Sequence, residues 1–158
     1  MANTDNSCAD LPIVDLFSGS INSLQDIMEL QKDIQENVYG YNFEELRNQP
    51  IEEMRKFFDW NYHAIQDELR ETFDALGGVK DGIGNGVWKP WKKSNAKIKT
   101  MKFTDLTPSD LLELKYELID IQHFINNLML AVGMDAKELY NLYFAKNAEN
   151  RNRQNRNY

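Results

Sequence analysis

From Thr107 to Gly133 the chain carries the start signal, the stop signal and the periodicity of one long helix, with acids where a core is expected. Thr107 suits the N-cap, Pro108 the first helical position and Asp110 the third, and Gly133 is a natural stop. At about 100° per residue, Leu111, Leu114, Leu118, Ile121, Ile125, Leu128 and Val132 form one apolar stripe. Leu112, Tyr116 and Ile119 form a second flank. Between the two lies a face of Glu113, Glu117, Asp120, Phe124 and Asn127, whereas Lys115, Gln122 and Asn126 read as solvated. Charge is costly to bury without a partner. Glu117 and Asp120, one turn apart and bordered by core on both sides, therefore suggest a cation; the plainer reading is a helix with an acidic outer face.

A second acid pair lies upstream. Pro50 opens a helix expected over residues 51–76, which Gly77-Gly78 ends. Met54, Phe58, Ile65, Leu69, Phe73 and Leu76 supply its stripe, and Glu68 and Glu71 sit at the stripe's edge beside Ala64 and Ala75. Small neighbours there allow another backbone to approach. Asp67, Arg70 and Asp74 turn further outward. If the two acid pairs face each other, four carboxylates repel strongly without a hard cation, and Mg²⁺ takes oxygen ligands of this kind.

An earlier helix is expected over residues 21–38, with Ile21, Leu24, Ile27, Met28, Leu30, Ile34 and Val38 at mostly helical spacing and Gly40 after its end. Gln31 and Gln35 lie four apart on one face, beside that stripe. The simpler reading is a pair of solvated glutamines; the other is two amides aimed at a ligand's edge. Residues 39–50 read as a connector. In the last helix, Asp135 with Glu138 makes an acidic capping box, and Leu139, Leu142, Tyr143 and Phe144 give the apolar side. Lys146, Asn147, Asn150 and Arg153 then recur every three or four residues, so they share a side while the helix lasts, and Lys and Arg are anion donors. A frayed, solvated terminus is the alternative.

Composition narrows the classes. A chain of 158 residues with 42% hydrophobic and 27% charged residues fits one globular domain, with residues 1–20 as a loose arm and residues 21–158 as the domain. No apolar run is long enough for a membrane span, and the start lacks the pattern of a secretory signal. Cys8 is the only cysteine, which excludes an intrachain disulfide and a multi-cysteine zinc site and fits a cytoplasmic protein. The net charge of −7 argues against a general nucleic-acid-binding surface. Residues 144–158 nevertheless carry Lys146, Arg151, Arg153 and Arg156 against Glu149, a net +3, leaving −10 for the rest. The glycine-rich stretch 77–87 lacks the context of a phosphate-cradling loop and reads as a flexible connection. After it, Trp88 and Trp91 stand among Lys89, Lys92 and Lys93, a mixture suited to stacking a base and holding phosphates, or equally to a packed corner. Two histidines, His63 and His123, leave no arguable nucleophilic triad. His123 follows Asp120 at the spacing of the Glu-x-x-His motif of di-iron bundles, but a second copy is missing. No persuasive strand occurs, so the class is all-α. A carboxylate-bridged redox bundle and a non-catalytic helical interaction module are the readings that compete with an enzyme acting on a polyanion.

Five segments in this order resemble a known family: MELQKDIQ at 28–35, DELRE at 67–71, VWKPWKK at 87–93, YELIDIQHF at 116–124 and YFAKNAENRNRQ at 143–154. From about Leu24 onward the chain resembles the dimeric all-α dUTPases and, more closely, the dCTP/dUTP pyrophosphatases of T-even-type bacteriophages, within the MazG-like all-α NTP pyrophosphohydrolase superfamily. The resemblance implies a helical bundle that forms a homodimer, and Mg²⁺-dependent hydrolysis of dUTP, dCTP or both to the monophosphate and pyrophosphate, with two or more ions once substrate is bound. It matches Glu68, Glu71, Glu117 and Asp120 to the metal ligands, with Glu68 or Glu71 orienting the attacking water. It matches Lys146, Asn147, Asn150 and Arg153 to the phosphate-binding tail, and Gln31 to the amide that reads the pyrimidine. Trp88, Lys89, Trp91 and Lys92 fall in the segment that contacts nucleotide. Gln35 stands where cellular dUTPases tend to have asparagine and the phage group glutamine, so uracil selectivity is not expected to be strict. A rotating glutamine amide serves either pyrimidine, and both dCTP and dUTP are expected substrates. Asn157 replaces a glycine usual before the last tyrosine. By analogy the purpose is to purge pyrimidine nucleotides during phage DNA synthesis in the host cytoplasm.

Overall fold

The computed structural model describes residues 23–76, 91 and 100–155. The arm at 1–20, the glycine-rich stretch, Trp88, Lys89, Lys92 and the last three residues lie outside the described residues. Among the described residues five α-helices follow one another: α1 (Ser23–Asp33), α2 (Phe43–Asn48), α3 (Ile51–Leu76), α4 (Pro108–Ala131) and α5 (Ala136–Asn155). A π-helical turn at Ile34–Val38 continues α1, a 3-10 turn at Phe103–Asp105 precedes α4, and the described residues contain no strand. The expected all-α class is what the chain adopts.

Helix ends follow local chemistry. At the start of α4 the Asp110 amide donates to Thr107 Oγ1 at 3.1 Å, and the Thr107 hydroxyl donates to Asp110 Oδ2 at 2.6 Å. Its far end closes in a Schellman motif: Met134 N–H donates to Met129 O and Gly133 N–H to Leu130 O, both at 3.0 Å. Gly133 takes the left-handed φ of +84° which that motif needs. Glu138 N–H donates to Asp135 Oδ1 at 2.7 Å and starts α5. The connector at 39–50 differs from expectation, because it holds α2. Six residues are too few for an apolar period, and the readable signal is Asn42, whose Oδ1 accepts from the amide of Glu45 at 2.9 Å.

The described residues fall into two compact units, Trp60–Phe124 and residues 23–59 with 125–155. In the first, Trp60 packs edge-on against Phe124 with ring centroids 5.8 Å apart, and carboxylate oxygens of Glu68 and Glu117 lie within 4.8 Å of each other. Low numbers meet high ones, so these stretches of α3 and α4 run antiparallel. The buried side chains here include Ala75 and Leu114, but also Asn61 and Glu117. In the second unit Phe43, Phe57 and Ala131 form the core, with Leu46, Met54, Phe58 and Leu130 packed on it. Phe57 takes Tyr41 and Phe43 edge-on at 5.1 and 5.9 Å, an arrangement that adds about 0.5–1.5 kcal/mol per pair beyond burial. The Arg47 guanidinium donates to the carbonyls of Leu130 and Ala131 at 3.0 and 3.4 Å, adding a second donor to Leu130 O beside Gly133 N–H and reaching the carbonyl of the last α4 residue.

Several burial expectations are corrected. Asn126, read as solvated, is fully buried together with Asn127. Adjacent helix positions point about 100° apart, so α4 is covered over a wide arc there. Leu118, Ile119 and Val132, read as stripe or flank, are exposed. On α1 and its π turn only Met28 of the apolar positions is buried, while Ile27, Leu30, Ile34 and Val38 are exposed. Leu142, Tyr143 and Phe144 on α5 are exposed as well. Periodicity says which residues share a face; it does not say whether one chain has another element to lay on that face.

Candidate metal centre and nucleotide-contact residues

Glu68 and Glu71 are three apart on α3, so they project from one side of it. Antiparallel α4 brings Glu117 to that side. One carboxylate oxygen from each of the three lies within 4.8 Å of the others. Glu117 is buried, Glu68 half-buried and Glu71 exposed, which grades the cluster from interior to open. Burial, followed by the charges of Glu71, Glu68, Glu113 and Asp120, pushes the Glu117 carboxyl up to about 7. Burial and the charges of Asp120 and Glu71 raise Glu68 as well, although the hydrogen bond from Glu117 works the other way. Glu117, the more buried of the pair, is raised the more clearly of the two. Three hard oxygen donors gathered this closely, with Glu68 and Glu117 raised, are a set a divalent cation relieves, so these residues fit a metal such as Mg²⁺.

Asp120 is near enough to raise Glu68 but lies outside that triplet of oxygens. Its Oδ1 stands 3.5 Å from His123 Nδ1. Burial raises the Asp120 carboxyl, the neighbouring His123 pulls it down, and Glu113 adds to the rise. Two groups bear on the centre that the sequence did not mark. Glu113 was placed on the acidic face with no role. Arg70, read as outward, donates to Glu71 Oε1 at 2.9 Å and to Asp74 Oδ2 at 3.3 Å. Its signal was its place next to Glu71, because a long cationic side chain reaches a neighbouring carboxylate easily.

In the second unit both glutamines are buried rather than solvated. Gln31 Nε2 donates to Asn127 Oδ1 at 2.7 Å. Gln35 lies in the π turn, where its Oε1 is buried without a hydrogen-bond partner. α5 stays helical to Asn155, so Lys146, Asn147, Asn150 and Arg153 keep the common side that spacing predicted. A shallow cavity of about 480 Å³ runs along Asn147, Asn150, Arg151, Arg153 and Gln154. Arg153 Nε donates to Glu149 Oε1 at 3.2 Å. Trp91 is exposed. A larger cleft of about 940 Å³, walled by α1, α2 and the α4–α5 turn with Met28, Lys32, Phe43 and Arg47, is lined by none of the candidate site residues.

No family model and no solved structure matches the chain. Among similar proteins, the dCTP pyrophosphatase of Enterobacteria phage LZ5 is 39% identical over 145 residues, covering 88% of this chain and 84% of that protein. The dCTP pyrophosphatase of Enterobacteria phage T4 is 30% identical over 149 residues, covering 91% of this chain and 87% of that protein. A DNA replication protein of phage T4 is 30% identical over 138 residues, which are 84% of this chain but 35% of that protein. With identities at this level over nearly the full length of two of these relatives, the chain belongs to the family of T4-type phage dCTP pyrophosphatases.

Proposed function

We propose that this chain hydrolyses pyrimidine deoxynucleoside triphosphates, dCTP and dUTP, to the monophosphate and pyrophosphate. The observation that carries the reading is the triplet Glu68, Glu71 and Glu117, with a carboxyl raised to about 7 at its buried end. Mg²⁺ held by these three, with Asp120 as the fourth acid, would neutralise the triphosphate and polarise its phosphorus. Glu68 and Glu71 stand toward the open side of the cluster, and one of them orients the attacking water and accepts its proton. The anhydride bond between the α and β phosphates breaks, and pyrophosphate leaves with the bridging oxygen. Lys146, Asn147, Asn150 and Arg153 grip the phosphates; Gln31 and Gln35 read the base; Trp88, Lys89, Trp91 and Lys92 supply further nucleotide contacts.

The working form is a homodimer. The exposed Ile27, Leu30, Ile34 and Val38 on α1 and its turn, and Tyr140, Leu142, Tyr143 and Phe144 on α5, support this, because such apolar surface favours a second copy as cover. No described helix is long and apolar enough to cross a membrane, in keeping with action on free nucleotides in the host cytoplasm during DNA synthesis. The test is a product assay with each of the four common deoxynucleoside triphosphates and dUTP, with Mg²⁺ and with a chelator. Pyrophosphate and monophosphate from dCTP or dUTP, lost with the chelator, are expected. No release from either pyrimidine in the presence of Mg²⁺ removes the reading.

A further inference from the structure

Gln31 is not free to rotate. Its Nε2 donates to Asn127 Oδ1 at 2.7 Å, and the two side chains are 7% and 1% exposed. Turning the Gln31 amide over would set its Oε1 against Asn127 Oδ1, two acceptors with no proton between them. Asn127 has a further interaction of its own besides Gln31. One N–H of Gln31 is thus committed within the protein, and its carbonyl oxygen and second N–H remain for a ligand.

One turn further on, Gln35 is 4% exposed and its Oε1 has no hydrogen-bond partner. Buried polar atoms are nearly always paired, so an orphan acceptor marks a place where a donor belongs. Gln35 also lies in the π-helical turn, a local widening that recurs at functional positions. Residues four apart share a helix face, so the two amides belong to one side of α1 and its turn.

The two pyrimidines differ in what they bring to such a pair. Cytosine carries an amino group at position 4 and a bare acceptor at ring nitrogen 3. Uracil carries a carbonyl at position 4 and an N–H at position 3. Two acceptors with a neighbouring N–H fit the cytosine edge: the amino group donates to the carbonyls, and the remaining Gln31 N–H donates to ring nitrogen 3. Against uracil the same groups place oxygen on oxygen.

We propose that Asn127 is a positioning residue for base selection: by accepting from Gln31 it holds the Gln31 carbonyl toward the base, and with Gln35 it makes the site prefer cytosine over uracil nucleotides. This rests on the proposed pyrimidine triphosphatase reading and sharpens it. The freely rotating glutamine expected from sequence serves both pyrimidines alike, whereas a clamped one does not.

The experiment is kcat/KM for dCTP and dUTP with Mg²⁺ on the wild type, Asn127→Leu, Asn127→Asp and Gln35→Leu, with thermal melting of each. The wild type is expected to favour dCTP by about ten- to a hundredfold. Asn127→Leu releases the Gln31 amide and should collapse that preference, with dUTP turnover held or raised. Asn127→Asp keeps an acceptor facing Gln31 and should keep the preference. A merely structural role would lower both substrates together and leave their ratio unchanged, which overturns the proposal. If the Asn127 variants do not fold, Gln35→Leu still decides, since removing the orphan acceptor must lower the dCTP preference. Equal kcat/KM for the two substrates on the wild type sinks this inference while the pyrimidine triphosphatase reading stands; no turnover of either sinks both.

Discussion

A carboxylate oxygen of Glu117 on α4 lies within 4.8 Å of one of Glu68 on α3, and burial with the surrounding charges pushes the Glu117 carboxyl up to about 7. In the unfolded chain its proton leaves near the ordinary value of 4.5. Between about 4.5 and 7 the folded state therefore binds a proton that the unfolded state does not. This contribution to stability falls as pH rises through that window and is level above it. Glu68 and Asp120, also raised, act in the same direction. Metal-free Glu117→Gln is expected to melt above the wild type at pH 8, with the gap closing toward pH 4.5. A gap that does not change with pH contradicts the raised Glu117 carboxyl. Turnover by the same variant should be lost.

Mg²⁺ binding should expel that proton. Metal ligands bind in their ionised form, so at pH 6.5 binding is expected to release protons and to raise the melting temperature. Calorimetry in two buffers of different ionisation enthalpy gives the number released. Glu117→Gln should release fewer, and an unchanged release would move the proton to another group.

On α5 the prediction separates grip from fold. Arg153→Lys keeps the charge but loses the fork that takes two phosphate oxygens at once. KM for dCTP should rise about tenfold, as for the loss of one good charge-assisted bond, with the circular dichroism spectrum unchanged. Cutting the chain after Phe144 should raise KM further and lower kcat, and should also remove the helical signal of residues 145–155. Wild-type KM in Arg153→Lys would take this arginine out of the substrate's reach.

The exposed stripe on α1 gives a test of assembly. Leu30 is 70% exposed, so Leu30→Glu buries no charge within one chain, and helix content should be retained. Light scattering after gel filtration should show a dimer for the wild type and a monomer for the variant. A variant that stays dimeric moves the interface elsewhere, and α5 with Tyr143 and Phe144 is the next place to look.

Legibility from sequence tracked the range of the cause. Helix ends were readable because their chemistry is local: Thr107 with Asp110, Gly133, and Asp135 with Glu138 all act within four residues. The cluster was half readable, since spacing put Glu68 beside Glu71 and Glu117 on its face, while only packing brings α3 to α4. Burial was the least readable. Asn126 and the two glutamines are polar by composition yet buried, Gln31 against Asn127 far along the chain, whereas Leu118 and Val132 are apolar and exposed among the described residues. α2 escaped because it is shorter than two turns and carries no stripe.

The joint between α4 and α5 sets aim as well as continuity. Gly133 turns the chain with its left-handed φ, and the Arg47 side chain lies 3.7 Å from where a Cβ on Gly133 would stand. Beyond that pivot α5 is a lever. Arg153 sits 17 residues past Ala136, a reach of about 25 Å at 1.5 Å per residue. A hinge error of about 10° at Gly133 would swing Arg153 by about 4 Å, further than a hydrogen bond can stretch. Under the proposed grip, Gly133 and Arg47 set how closely Arg153 can meet a phosphate, and leverage makes the far end of α5 depend most on its root.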